Sequence, residues 1–202
     1  AISRIPNPKV VISVPSGNFG NITGSMLAWR TGLPVEHFIV STNINNVVPE
    51  YLESGLYRPR TSVQTIANAM DVGNPSNFDR LLELFKNDIN EVRSMVSGYW
   101  FTDAQIREHI KTEFERTGYV LDPHGAVASL GLDCYLSENQ DLTGFFVETA
   151  HPAKFCDIVE PVIGRPLNVP ESLKSSASAM KQSIMIKPGY PFLEGYLKER
   201  YM

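Results

Sequence analysis

The sequence predicts an α/β protein with three layers, in which helices flank a central, mostly parallel β-sheet. One observation is the order strand, loop, helix, strand within about 30 residues near the N-terminus, which defines a βαβ unit and implies parallel strands. A second is that helical segments outnumber strands. A third is the composition, with 43% hydrophobic and 20% charged residues, which is typical of a globular protein. No linker is evident, so we expect one domain over residues 1–202.

The βαβ unit lies in the first 41 residues. Val10–Val14 is a β-branched run and predicts a buried strand. Asn21–Thr31 predicts a helix that stops near Gly32 and Pro34. His37–Ser41 predicts the second strand.

The next segment predicts helices around a long loop. Asn46–Ser54 predicts a short helix that Gly55 ends. Leu56–Asn77 is rich in Gly, Pro, Arg and Asn and predicts an ordered loop with little regular structure. Phe78–Asn87 carries apolar residues at helical spacing, and helix is expected to continue after a break through Ile89–Ser97.

Two later helices have clear start signals. Thr102–Gln105 has the form of a capping box and opens a helix that extends to Arg116. Asp122 is a capping residue and Pro123 suits the first helical position, which predicts a helix through Gly125–Leu136.

The remaining elements follow from shorter patterns. Thr143–Glu148 predicts a third strand, Pro152–Ile163 a helix, and Pro191–Tyr201 a last helix. The aromatic cluster Tyr99–Phe101 is expected between helices, as part of the core.

Charge and cysteine content exclude several function classes. Eighteen basic and 22 acidic residues give a formal net charge of −4, so we expect no nucleic-acid partner. No apolar run approaches the ~20 residues that span a bilayer, so no membrane partner is expected. Cys134 and Cys156 predict free thiols in a reducing compartment, and hence a cytoplasmic protein. The four histidines show no ligand spacing, so no metal site is expected.

The N-terminus adds one expectation. The first eight residues contain no apolar signal core, and the chain begins at Ala1 without an initiator Met. We therefore expect either a processed chain or a part of a longer protein.

A glycine-containing loop is the most informative stretch. Pro15–Asn21 (PSGNFGN) follows a predicted strand and opens a predicted helix. Gly17 and Gly20 allow the backbone to approach a ligand closely, and helix N-terminal amides favour a phosphate or another anion. The loop matches neither the Walker pattern nor the dinucleotide-binding pattern. A plain strand-to-helix turn is the alternative interpretation.

Other polar residues have two interpretations each. Thr149 and His151 follow the third predicted strand, where ligands of parallel α/β folds collect. Alternatively, Thr149 caps a helix and His151 lies at the surface. His124 is interpreted as a packing residue. Arg60 and its neighbour Arg58 are interpreted as part of a solvated loop rather than an anion clamp.

Several motifs in order resemble those of the threonine synthase family, and together they cover nearly the whole chain. They are Ser16–Asn21, Leu33-Pro34, Ser41–Asn45, Tyr51–Gly55, Ala69–Val72, Ser76–Phe78 with Arg80, Asp122–Val127 and Thr149–Phe155.

Threonine synthases are pyridoxal-phosphate enzymes of the tryptophan-synthase-β type, also called fold type II. They convert O-phospho-L-homoserine and water into L-threonine and phosphate, the last step of threonine biosynthesis. The resemblance implies that the glycine loop holds the cofactor phosphate and that a threonine hydrogen-bonds the pyridine nitrogen. The implied cofactor-binding residues are Gly17, Asn18, Phe19, Gly20, Asn21 and Thr149.

The resemblance also implies that part of the enzyme lies outside this chain. The family's Schiff-base lysine lies far upstream of the glycine loop, where only Arg4 and Lys9 are basic here, and Lys154 lies in a different motif. We therefore expect the C-terminal part of a threonine synthase, with no catalytic residue of its own and no activity alone. Asn46 stands where the family commonly has an acid.

Two alternatives to a threonine synthase remain open. The complete protein could be a related pyridoxal-phosphate lyase that acts on another hydroxy- or phospho-amino acid. The chain could instead be a non-catalytic phosphate-binding α/β module, which a lysine-containing cofactor motif upstream would exclude.

Overall fold

A computed structural model describes residues 9–201 of the chain. The N-terminal residues 1–8, which include Arg4 and the segment judged to lack a signal core, and Met202 lie outside the described residues. The chain divides into two compact units, Ala1–Asn168 and Val169–Met202. The expectation of one domain over residues 1–202 stays a prediction.

The first unit contains a parallel four-stranded sheet. Its strands are β1 (Val10–Pro15), β2 (His37–Thr42), β3 (Val96–Trp100) and β4 (Thr143–Phe146), in the spatial order β3-β2-β1-β4. All carboxyl ends therefore lie at the same edge of the sheet. The predicted α/β class is confirmed.

Helices of the first unit connect and cover these strands. They are α1 (Gly20–Arg30), α2 (Val47–Ser54), α3 (Phe78–Leu84), α4 (Ile89–Met95), α5 (Asp103–Thr117), α6 (Pro123–Glu138) and α7 (Cys156–Ile163), with 3₁₀ turns at Asn68–Met70 and Pro152–Phe155. The second unit contains helices α8 (Glu171–Ser178) and α9 (Tyr190–Tyr201).

The sheet is covered on both faces, as the predicted three-layer arrangement requires. Successive strand side chains point to opposite faces. Ile12 and Phe38 pack in one cluster with α1, α3 and α4. Val11 and Ile39 pack on the other face against Leu132 of α6. Burial of β1 and β2 on both faces explains their nearly continuous apolar sequences.

Local sequence signals placed several helix ends correctly. Thr102 and Gln105 form the predicted capping box at the start of α5. The Asp122 side chain accepts a hydrogen bond from the His124 amide at 2.8 Å, and Pro123 is the first residue of α6. Gly55 ends α2 in the left-handed conformation with φ of 77°. Each of these caps involves residues within one helical turn, so it can be predicted from the local sequence without the tertiary structure.

Strand β3 was missed by the sequence prediction, which placed Tyr99–Phe101 between helices. Residues 96–100 (VSGYW) carry no alternating apolar pattern, because β3 is an edge strand that pairs only with β2. Gly98 permits close packing of α2, since a Cβ there would lie 2.9 Å from the Pro49 Cα. The predicted helix over Ile89–Ser97 therefore ends at Met95.

Other boundaries also differ from the predictions. The helix predicted to reach Asn87 ends at Leu84, because Lys86 and Asn87 adopt positive φ angles of 52° and 60°. The strand predicted to reach Glu148 ends at Phe146. The helix predicted from Pro152 begins as a 3₁₀ turn, and α8 was not predicted.

Helix α6 lies unusually close to the sheet. The Ser13 hydroxyl donates to the Ala128 carbonyl at 2.7 Å and lies 3.0 Å from the Ser41 hydroxyl. A Cβ on Gly131 would overlap the Ser41 Oγ and lie 3.1 Å from the Ser41 Cβ. The glycine is therefore required by the packing of α6 on β2.

We expect Gly131→Ala to lower the free energy of unfolding by about 1–3 kcal/mol, because overpacking outweighs the gain in helix propensity. Gly24→Ala is the matched control, since a Cβ at this position of α1 meets nothing within 4 Å. It should be neutral or stabilising by up to ~1 kcal/mol. Urea denaturation of both variants measures the difference, and equal midpoints would contradict the packing argument.

Candidate functional site

A cavity of about 260 Å³ lies at the carboxyl edge of the sheet. All six residues that the sequence analysis assigned to a cofactor line it. The full lining is Pro15, Gly17, Asn18, Phe19, Gly20, Asn21, Ala69, Met70, Asn77, His124 and Thr149. The structure therefore brings the glycine loop and Thr149 together, although about 130 residues separate them in the chain.

The N-terminus of α1 faces this cavity. β1 ends at Pro15, and Phe19 precedes the helix in the left-handed conformation with φ of 63°. Its ring packs edge-on against Phe78 with centroids 5.7 Å apart, which anchors this bend. No side chain caps α1, so its first-turn amides remain available to a ligand.

Gly17 and Gly20 are glycines for different structural reasons. A Cβ on Gly17 would overlap the Ala69 carbonyl oxygen and lie 2.8 Å from the Met70 Cα. Gly17 is therefore required by contact with the 3₁₀ turn. A Cβ on Gly20 would lie 3.7 Å from Asn77 Nδ2, an ordinary contact. Because no atom of the described residues lies close enough to require a glycine at position 20, the space beside it is open to a bound group.

Asn18 ties the glycine loop to the segment before α3. Its Oδ1 accepts hydrogen bonds from the Ser76 amide at 2.6 Å and the Ser76 hydroxyl at 3.0 Å. Asn77 Nδ2 donates to the Asn18 carbonyl at 2.9 Å, and Arg80 donates to Asn77 Oδ1. The Asn18 carboxamide oxygen is thus used inside the protein, and its contribution to the cavity is positional.

A buried polar network fixes the loop that carries the 3₁₀ turn. Asp71 Oδ1 accepts from the Thr65 hydroxyl at 2.7 Å and from Asn43 Nδ2 at 2.9 Å, and Oδ2 accepts from the Thr65 amide at 3.0 Å. Asn45 exchanges two hydrogen bonds with the backbone of Val63, at 2.7 and 2.8 Å. Sequence reasoning missed this network, although two asparagines directly after a buried strand were a usable signal.

His124 is buried, as a packing residue would be, and it also lines the cavity. The ring is 3% exposed. Its Nε2 lies 3.2 Å from the Ala69 amide, which can only donate, so Nε2 accepts. Nδ1 lies 2.8 Å from Asp122 Oδ1 and therefore carries the proton. This pairing assigns a neutral imidazole.

Thr149 and His151 have separate roles. The exposed Thr149 lines the cavity, and its hydroxyl makes no hydrogen bond with another described residue. His151 Nδ1 accepts from the Ala153 amide at 3.1 Å and caps the 3₁₀ turn that follows. The alternative in which Thr149 is the cap is therefore wrong, because His151 fills that position.

Two carboxyl groups lie behind this edge. Asp122 is fully buried, and burial opposes its ionisation, but hydrogen bonds from the His124 ring and amide, together with the nearby Glu148 carboxyl group, hold its pKa below the usual range. Burial, and then the neighbouring Asp122, raise the pKa of Glu148 to about 8. The carboxyl group of Glu148, two residues beyond the end of β4, therefore favours its protonated form near neutral pH.

Asn46 takes part in binding Arg60. The Arg60 guanidinium donates to Glu50 Oε2 at 2.6 Å and also to Asn46 Oδ1. This contact lowers the pKa of Glu50. Glu50 supplies the acid that pairs with this arginine, and Arg60 is engaged within the protein rather than free to bind a ligand.

Residues 9–201 contain neither a metal-binding cluster nor a membrane-spanning helix. No group of His, Cys, Asp and Glu there could hold a metal ion. None of the helices is both long enough and apolar enough to cross a bilayer.

The parallel sheet, with a glycine loop that opens a helix at its carboxyl edge, has the fold of the type II pyridoxal-phosphate enzymes, as comparison with solved structures shows. Threonine deaminase isoform 2 of Solanum lycopersicum shares this fold at 16% identity, with a TM-score of 0.54 over 80% of this chain and 44% of that one. No protein-family model matches the chain.

Closer similarity is found among threonine synthases. The Haemophilus influenzae threonine synthase is 43% identical over 176 residues, which are 86% of this chain and 40% of that protein. The Escherichia coli structure has a TM-score of 0.81 at 38% identity and covers 88% of this chain and 41% of its own. The pyridoxal-phosphate-bound threonine synthase structure from Brucella melitensis has a TM-score of 0.83 at 29% identity. It covers 96% of this chain and 47% of its own.

These comparisons confirm the family resemblance. The chain is homologous to threonine synthases and corresponds to their C-terminal part. It spans about 40% of the length of the curated relatives with the highest identity.

We expect Asp71→Asn to destabilise the loop over residues 56–77. Four donors converge on this carboxylate, and an amide would place another donor among them, at a cost of about 1–3 kcal/mol. Hydrogen exchange of the loop amides should accelerate, while those of β1 and β2 change less. The exposed Asp141→Asn serves as control. Equal loop protection in both variants would contradict the role of Asp71.

Proposed function

We propose that the chain forms the cofactor-phosphate side of a threonine synthase. The complete protein would use pyridoxal 5'-phosphate to convert O-phospho-L-homoserine and water into L-threonine and phosphate, the last step of threonine biosynthesis. One observation carries the proposal: the six residues named by the family motifs line a single cavity at a helix N-terminus. Homology to threonine synthases supports the same conclusion.

The cavity suits a phosphate group for two reasons. The uncapped N-terminus of α1 presents amide donors and the positive end of the helix dipole. Gly20 leaves space beside those amides that the fold itself does not need. In this proposal Gly17, Asn18, Phe19, Gly20 and Asn21 surround the phosphate, with Asn18 acting through the position of the loop.

Thr149 would contact the other end of the cofactor. Its hydroxyl has no hydrogen-bond partner among residues 9–201 and lies at the same cavity, so it is available to hydrogen-bond the pyridine nitrogen. A neutral hydroxyl does not stabilise a protonated ring as a carboxylate would. Bound pyridoxal phosphate supplies the electron sink for the reaction.

The reactive lysine would come from outside this chain. Lys9 precedes β1 and therefore lies at the edge of the sheet opposite to the cavity. Lys154 lies in the 3₁₀ turn at Pro152–Phe155 and does not line the cavity. We therefore propose that the Schiff-base lysine lies in the N-terminal part of the complete enzyme, that this part is the partner of the chain, and that the chain alone has no turnover.

The proposed location is the cytoplasm. Cys134 and Cys156 are both free thiols, which fits a reducing compartment. The substrate is a small phosphorylated amino acid, and the acidic net charge of −4 does not favour nucleic acid.

We expect Gly20→Ala to weaken pyridoxal phosphate binding at least tenfold, about 1.4 kcal/mol, because the added methyl enters the space proposed for the phosphate. The melting temperature without cofactor should not fall, since the methyl meets only Asn77 at 3.7 Å. Fluorescence titration of the complete protein measures the affinity. Gly24→Ala, one turn further along α1, should keep the wild-type affinity. Unchanged affinity in Gly20→Ala would reject the phosphate site.

We expect Thr149→Val to bind the cofactor several-fold more weakly, because one neutral hydrogen bond contributes ~0.5–1.5 kcal/mol. The single-turnover rate should fall further, since the ring nitrogen contact tunes the chemistry of the cofactor. The melting temperature without cofactor should stay constant, because the hydroxyl has no hydrogen-bond partner in the described part of the chain. Thr149→Ser is the control and should retain both properties. A normal single-turnover rate in Thr149→Val would reject the cofactor role.

A further inference from the structure

Two buried carboxylate oxygen atoms have no hydrogen-bond partner among the residues that the structure describes. They are Asp122 Oδ2 and Glu148 Oε2. An unpaired carboxylate oxygen is costly to bury, so each needs an explanation. The two groups lie near enough for a side-chain hydrogen bond between them, and two ionised carboxylates cannot form one.

The protein provides space for the Glu148 carboxyl group. A Cβ on Gly125, in the first turn of α6, would overlap both Glu148 oxygens and lie 2.6 Å from its Cδ. Tyr119 OH lies 3.5 Å from Glu148 Oε1. No lysine or arginine of residues 9–201 forms an ion pair with Glu148. A proton shared between the two carboxyl groups would give each of them a hydrogen bond from a group that is already present.

We propose that Glu148 is a positioning residue: it holds a proton that it donates to Asp122, and this carboxyl pair fixes Thr149 against the His124 wall of the cavity. Glu148 directly precedes Thr149 in the chain. Asp122 accepts from His124, His124 accepts from the Ala69 amide, and the Ala69 carbonyl contacts Gly17. The effect on the cofactor rests on the proposed function, whereas the shared proton does not.

The proton gives the site a defined pH dependence. Asp122 and Tyr119 face Glu148 directly, and His124 lies behind Asp122. The pKa of Glu148 is about 8 in the folded protein, against 4.5 ordinarily. Between these values Glu148 makes the folded protein bind up to one more proton than the unfolded chain, so its contribution to the free energy of unfolding falls as pH rises. The unfolding equilibrium constant can increase up to about tenfold per pH unit in this window.

The test compares Glu148→Gln and Glu148→Ala in the complete protein, with the exposed Glu36→Gln as the control. Glutamine keeps a donor toward Asp122 and cannot ionise, whereas alanine removes the donor. The wild type and Glu36→Gln should show an infrared carbonyl band of a protonated carboxyl at pH 7 that Glu148→Gln lacks. Stability should fall from pH 6 to pH 8 in the wild type by more than in Glu148→Gln. The shared proton would be contradicted if the wild type and Glu148→Gln had the same infrared band, or if their stabilities changed in parallel with pH.

Pyridoxal phosphate affinity then separates positioning from stability alone. Because the cofactor titrates too, each variant is compared with the wild type at every pH. We expect Glu148→Ala to bind about tenfold more weakly at pH 7 and glutamine to restore the binding. Wild-type affinity should fall about threefold or more from pH 7 to pH 9 relative to Glu148→Gln. Equal pH profiles would overturn the positioning role. If neither the wild type nor the variants bound pyridoxal phosphate, the proposed function would be wrong. The infrared band and the stability profiles would still show whether Glu148 holds a proton.

Discussion

The geometry of the cavity depends on the contact between Gly17 and the backbone of the 3₁₀ turn at Asn68–Met70. This contact joins the end of β1 to a loop more than 50 residues later, and it leaves no room for a side chain. Hydrogen bonds from Thr65 to Asp71 fix the loop that carries the turn, and the His124 ring accepts a hydrogen bond from the Ala69 amide. The walls of the cavity are thus fixed by hydrogen bonds rather than by apolar packing alone.

The side chains that line the cavity carry no net positive charge. Its lining residues include no lysine or arginine, and its one histidine is neutral by its hydrogen bonds. The positive potential therefore comes from the N-terminus of α1. Such a site is suited to a phosphate and offers no amine to react with a carbonyl. That division of chemistry matches the proposal that the reactive lysine lies in another part of the complete enzyme.

Features that act over a few residues were predictable from the sequence. The βαβ unit, the capping box at Thr102 and the cap at Asp122 are examples, because neighbouring residues fix each of them. Strand β3 was not predictable, because its strand conformation depends on pairing with β2 and on the close approach of α2 to Gly98. The Ala69 amide that bonds His124 and the Asp122 carboxyl that faces Glu148 are distant from them in sequence, so neither residue could be assigned as part of the site.

The glycine loop shows a distinction that the sequence pattern does not contain, because the structure gives its two glycines different roles. A resemblance treats Gly17 and Gly20 alike, since both belong to one motif. In the structure, Gly17 is required by the fold, because the Ala69 carbonyl occupies the space that a side chain would need. Gly20 is required by nothing in the described part of the chain, so its absent side chain has meaning only toward a bound group. This asymmetry is the physical reason for placing the phosphate beside Gly20 and for treating Gly17 as the residue that shapes the wall.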